Sequence, residues 1–233
     1  MSGIPELLYH TTLTVLGKDG ETAAPTRSVY VLGTHATVEA AKAFASKALQ
    51  DLGYEPSDFV QYDVRDGTRP LAHGDGVVVY AKAPAGQEFV VGLDTTPNDQ
   101  GFLAGPNGTI QLSAHPDNDG KRENDLARHL HYVLQTAIDY NTWVGDAFEK
   151  TDIEGCYVHR ADAFAAAKNC LKGTGYDFAQ YDQRDDLRET DEWPFGDDVL
   201  VHAVSQTGEN FSVSVCTIPG AHKKHSKKNG KKE

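Results

Sequence analysis

The stretch with the most evident chemistry occurs twice. Residues 59–66 read Phe-Val-Gln-Tyr-Asp-Val-Arg-Asp, and residues 178–185 read Phe-Ala-Gln-Tyr-Asp-Gln-Arg-Asp. A guanidinium close to a carboxylate keeps it ionised, and an ionised carboxylate can work as a general base. Asp63 and Asp182 are therefore catalytic candidates, with His202 as a third acid–base group, and Tyr62, Arg65, Tyr181 and Arg184 are binding candidates. A structural reading competes. Residues two apart on a strand share a face, so Asp63–Arg65 and Asp182–Arg184 read as same-face ion pairs that organise the turn before a hairpin, with Tyr62 packing on the other side. A catalytic site tends to survive in one of two duplicated copies, whereas this motif persists in both. That favours structure.

Ten histidines invite a metal reading. His129 and His131 could share one strand face, but the sequence nominates no third or fourth ligand, so neither metal nor cofactor is expected. His10, His35 and His73 answer to Tyr132, Tyr157 and Phe195 in the second half, and replacement by aromatic residues marks them as space-fillers. One position runs the other way, Tyr80 to His202. Cys170 and Cys216 read as small buried hydrophobes, which leaves Cys156 as the one candidate reactive thiol, with no electropositive setting in view. Nucleotide-cradling glycine loops, zinc-protease helices, paired-cysteine redox motifs and serine nucleophile elbows are all absent.

The doubled motif belongs to a larger repeat. Residues 74–97 and 196–219 align without a gap at an offset of 122, with ten of 24 positions identical. Gly53 and Tyr54 return as Gly175 and Tyr176. The polar motif itself returns at an offset of 119, because Glu55, Pro56 and Ser57 have no counterpart. The predicted organisation is a first unit over 1–97, a linker rich in Gly, Pro, Asn and Asp over 98–125, a second unit over 126–220 and a tail over 221–233.

Each unit has the elements to hold such a motif. Residues 8–16 alternate with Tyr9, Thr11, Leu13 and Val15 on one face, and residues 28–32 make a second strand. Val38, Ala41, Ala45, Leu49 and Leu52 recur at helical spacing, with Thr37 as N-cap and Gly53 just past the end. The second unit's helix is expected to run from a cap at Asp162 to Gly173. Residues 59–65 make a third strand, and two hairpins turn at Pro84-Ala85-Gly86 and Gln206-Thr207-Gly208. Val77, Val79, Ala81, Phe89, Val91 and Leu93 share the buried face of the first unit, and their counterparts Val199, Val201, Ala203, Phe211, Val213 and Val215 that of the second. One helix over one face of an antiparallel sheet, twice, is an α+β fold. Duplicated units also tend to pack pseudo-symmetrically, as a homodimer would.

The junction Val31-Leu32-Gly33-Thr34, leading into Thr37-Val38-Glu39-Ala40-Ala41, resembles a strand–helix junction of small tandem-repeat α+β proteins of filamentous fungi. The second unit departs from it, reading Gly155-Cys156-Tyr157-Val158-His159-Arg160. The resemblance implies no activity.

The net charge is −12, with +5 on residues 221–233 and −17 on the remainder. So acidic a body repels nucleic acid and anionic lipid, so sequence-specific nucleic-acid binding is not expected. The six lysines of the tail can contact polyanions or direct nuclear import; otherwise the tail is a disordered, solubilising end. No apolar run reaches the roughly 20 residues of a membrane span, and residues 1–8 lack a basic start and an apolar stretch. A cytoplasmic location is expected, with a nuclear route through the tail. The function that follows is a non-catalytic binding or interaction protein, taking a small molecule or a protein in a groove between the units. The alternative is an enzyme using Asp and His groups in such a groove.

Overall fold

A computed structural model describes residues 3–18, 25–65, 73–111, 130–140, 148–187 and 193–219. The tail expected over 221–233 and the remainder of the predicted linker, 112–125, lie outside the described residues. The chain divides into a first unit, residues 1–128 with 218–233, and a second unit, 129–217.

In the first unit the strands are β1 (Leu7–Lys18), β2 (Pro25–His35), β3 (Gln61–Val64), β4 (Val77–Lys82) and β5 (Glu88–Pro97). They form one antiparallel sheet in the order β2-β1-β5-β4-β3. Between β2 and β3 lie α1 (Val38–Ala45) and α2 (Ala48–Asp51). The Thr37 hydroxyl caps α1 by accepting from the Ala40 N–H at 3.3 Å, and Gly53 ends α2 at φ +95°. Helical spacing predicts one continuous helix here. Instead the chain tightens at Ser46 and Lys47, where the Lys47 N–H bonds to the Phe44 carbonyl and the Ser46 hydroxyl to that of Ala43. Ala41, Ala45 and Leu49 are buried as expected, but Leu52 is 45% exposed.

Residues 98–111, the first part of the predicted linker, fold onto this unit. The Asn98 side chain donates to the carbonyls of Pro5 and Phe102 at 2.9 Å each, and its own oxygen takes the Phe102 N–H. The strands β6 (Leu103–Ala104) and β7 (Ile110–Gln111) pair around a turn in which Asn107 has φ 58°, and Phe102 and Ile110 are buried.

The second unit repeats the plan. Its strands are β8 (His131–Asp139), β9 (Phe148–Tyr157), β10 (Phe178–Gln183), β11 (Val199–Ser205) and β12 (Asn210–Thr217), in the order β9-β8-β12-β11-β10. Matching strands hold matching positions, down to the bulges. Leu32 is skipped between Val31 and Gly33 in the β1–β2 ladder, and Glu154 between Ile153 and Gly155 in the β8–β9 ladder. Val78 and Leu200 are skipped in the same way. A one-residue slip would move every side chain to the wrong face, so shared bulges at an offset of 122 require a shared register. α3 (Arg160–Asn169) packs on β8 and β12, and its N-cap position lies three residues earlier than the predicted cap at Asp162. His159 occupies the N-cap position and makes no side-chain cap bond.

The two cores follow the predicted alternation except at Val77 and Val199, where the bulges put Val78 and Leu200 into the core instead. Val79, Ala81 and Val91 in one unit, and Val201, Ala203 and Val213 in the other, are fully buried, with Phe89 and Phe211 beside them. Among the described residues no helix is long and apolar enough to cross a membrane.

Candidate functional site

The doubled motif lies on β3 and β10, each one of the two edge strands of its sheet, with Asp63 opposite Tyr80 and Asp182 opposite His202. The expected ion pairs with Arg65 and Arg184 do not form. In both units the aspartate takes a hydrogen bond from the glutamine two residues earlier instead, Gln61 to Asp63 at 2.6 Å and Gln180 to Asp182 at 2.5 Å. The reason is strand length. Gln, Asp and Arg all alternate onto one face, but β3 ends at Val64 and leaves Arg65 exposed beyond it.

Arg184 has a different role. It is buried, its Nε donates to the Val199 carbonyl at 2.8 Å, and its Nη2 donates to the carbonyls of Gly196 and Asp197. Its guanidinium sits 5.1 Å from the centre of the Trp193 ring. It organises the turn before the hairpin, as the motif suggests, but through backbone carbonyls and without Asp182. Tyr62 and Tyr181 pack on the other side of their strands against Phe59 and Phe178, at 5.7 and 5.6 Å between ring centres. Burial pushes both phenols above their ordinary pKa, so they stay neutral.

A second feature links the copies. His73 stacks on Tyr80 with ring centres 3.7 Å apart and planes 8° apart; Phe195 stacks on His202 at 3.9 Å and 6°. These are equivalent pairs at the offset of 122, with the imidazole moved from the overlying ring to the strand. In the first unit His73 Nε2 lies 3.1 Å from Asp63 Oδ2. Gln61 first and His73 second hold the Asp63 carboxyl below the usual carboxylate range. In the second unit the imidazole Nδ1 of His202 is buried with no protein partner. Burial lowers its pKa, against an opposing pull from Asp182. His10 also fills space: it is fully buried between the hydroxyls of Thr34 and Thr96, and Tyr132 takes its place in the second unit.

This geometry offers an aspartate and an imidazole in each unit, hydrogen-bonded to each other in the first unit and opposite each other on neighbouring strands in the second. Replacing Asp63 by Asn removes an exposed charge that holds both Gln61 and His73, whereas Asp182→Asn releases Gln180 alone. Exposed interactions of this kind are worth about 0–1 kcal/mol. Thermal melts should therefore fall by a few degrees at most, slightly more for Asp63→Asn.

Cys156 is buried, and burial pushes its thiol pKa up to about 12, as it does for Cys170 and Cys216. Cys170 donates to the Gln135 side-chain oxygen at 3.2 Å. Among the described residues no three His, Cys, Asp or Glu side chains converge as a metal site would require. His129 lies outside the described residues.

A cleft lies elsewhere, within the first unit. Its two helices leave part of their sheet face uncovered, and an apolar cleft of about 430 Å³ opens there. Leu13 and Val15 of β1, Tyr30 and Leu32 of β2 and Phe89 of β5 line its strand side. Leu52 and Tyr54, just past α2, make the opposing wall, with Gln87 and Pro219 completing the lining. Tyr30, Leu52 and Tyr54 are 42%, 45% and 38% exposed. The same positions in the second unit read differently: Tyr30, Leu32, Leu13, Leu52 and Gln87 become Asp152, Glu154, Gln135, Thr174 and Glu209. Only the aromatic pair persists, Tyr54 with Phe89 at 5.3 Å and Tyr176 with Phe211 at 4.8 Å. The signal was present in the aligned copies, as a mainly apolar set facing a polar one. Reading for retained residues passes over it.

Comparison with models of known protein families, with curated protein sequences and with solved structures finds no match.

Proposed function

We propose that the protein is a non-catalytic binding protein whose first unit takes a small molecule into this cleft. One observation carries the reading: an open, mainly apolar cleft of about 430 Å³ with half-exposed rings at its mouth lies in one copy, while the other copy carries Asp152, Glu154 and Glu209 at three of the same places. Small-molecule sites are apolar clefts of roughly 300–1,000 Å³ with few polar groups, and large exposed apolar side chains grouped together mark binding surfaces. The site proposed lies inside one unit, so it needs no groove between the two.

The duplication supplies its own control. Tyr30→Asp with Leu52→Thr writes the second unit's residues into the cleft at two positions that are already solvent-accessible. The neutral fluorophore phenylnaphthylamine should bind the full chain saturably, and the double variant should weaken that binding by about tenfold or more, since about 1.4 kcal/mol of lost contact suffices. The thermal midpoint should stay nearly the same. Saturable binding that is unchanged by the double variant, or no binding at all, overturns the proposal.

The enzyme reading draws on Asp182, His202 and Ser212, which stand opposite one another on β10, β11 and β12. A working triad needs the imidazole to bond the hydroxyl and the carboxylate at once. Here Asp182 takes its hydrogen bond from Gln180, and His202 Nδ1 has no partner. That disfavours it. Labelling by a serine-reactive fluorophosphonate, abolished by Ser212→Ala, would favour it.

A further inference from the structure

We infer that the ligand of the cleft is an uncharged, ring-bearing molecule with a neutral oxygen or nitrogen at one end; the inference rests on the binding reading above. None of the cleft's lining side chains is charged. Glu88, between Gln87 and Phe89, points to the other face of the sheet, where Lys82 meets it at 3.0 Å. A carboxylate or ammonium entering the cleft would give up hydration against Leu13, Val15, Leu32 and Leu52 with no counter-charge, which is costly.

A ring, by contrast, finds partners. Tyr54 and Phe89 are tilted 59° to each other at 5.3 Å, and Tyr30 presents a third ring beside them. Aromatic contacts of this kind add about 0.5–1.5 kcal/mol beyond the area they bury. The polar groups available are two phenols and the Gln87 amide, all neutral, and together they can donate to a carbonyl or accept from a hydroxyl or amine. A quaternary cation would also enjoy three rings, but four aliphatic side chains share the lining, and they offer it nothing.

The test is a matched pair of probes on the full chain. Phenylnaphthylamine and anilinonaphthalenesulfonate share one ring system and differ in a sulfonate. The neutral probe should bind about tenfold more tightly or better, with both signals reduced by Tyr30→Asp/Leu52→Thr. Equal affinity, or preference for the sulfonate, with the double variant still effective, overturns the ligand class and leaves the cleft as a site. A neutral probe that fails to bind, or binding that the double variant leaves intact, overturns the cleft reading as well.

Discussion

Arg184→Met is expected to destabilise the second unit by about 3 kcal/mol, while Arg65→Met in the first changes stability by no more than about 0.5 kcal/mol. The two arginines occupy the same place in the same motif, so sequence alone assigns them one role. Their surroundings differ. The Arg184 guanidinium is buried, donates to three carbonyls of the turn at 196–199 and lies against the Trp193 ring. Hydrogen bonds to a charged group contribute about 1.5–3 kcal/mol each, though not additively, and the contact with the ring adds to them. Methionine keeps the apolar stem of the side chain as far as the position of Nε and removes every donor. Arg65 is exposed past the end of β3 and has nothing comparable to lose. Urea unfolding of the two single variants at neutral pH decides the matter. Equal losses would mean that the arginines share a role, and a negligible loss at Arg184 would mean that the turn holds itself.

This asymmetry shows where residue patterns carry information and where they stop. Alternation predicts the buried faces of β5 and β12 and the later residues of β4 and β11, but not the bulges that put Val78 and Leu200 into the cores in place of Val77 and Val199; the repeat carries over strand order and bulges alike. The break between α1 and α2 has no glycine or proline to announce it; it comes from local hydrogen bonds at Ser46 and Lys47. Because of it, Leu52 leaves the core and becomes a wall of the cleft. The partner of Asp63 was equally hidden. Gln61 and Arg65 are both two residues away on the same face, and which one bonds depends on where the strand ends. His73 comes from beyond residues 66–72, so no spacing rule could bring it onto Tyr80. Retained residues located the framework. The function-bearing difference lay at the positions that changed.

Acidification should destabilise the first unit by about 3 kcal/mol between about pH 6.5 and about pH 4, and His10→Gln should remove most of that slope. His10 is fully buried, and its pKa is lowered to about 4, by burial first and by His35 second. In the unfolded chain it returns to its ordinary value of 6.5. Between those values the unfolded state binds a proton that the folded state refuses, so stability rises with pH across the window. The contribution is fully present above about pH 6.5, is lost progressively as the pH falls, and declines no further below about pH 4. A difference of roughly 2.5 pH units corresponds to about 3 kcal/mol. His35 is also held down by burial and adds to the same trend. Glutamine can replace the two hydrogen bonds to Thr34 and Thr96, at 2.9 and 2.8 Å, without titrating. The second unit carries Tyr132 at this place, also fully buried, and lacks this acid-labile element. Amide hydrogen exchange at about pH 7 and about pH 4.5 would resolve the units. A first unit whose protection is the same at both values, or a slope that survives in His10→Gln, would show that the buried imidazole does not govern its acid stability.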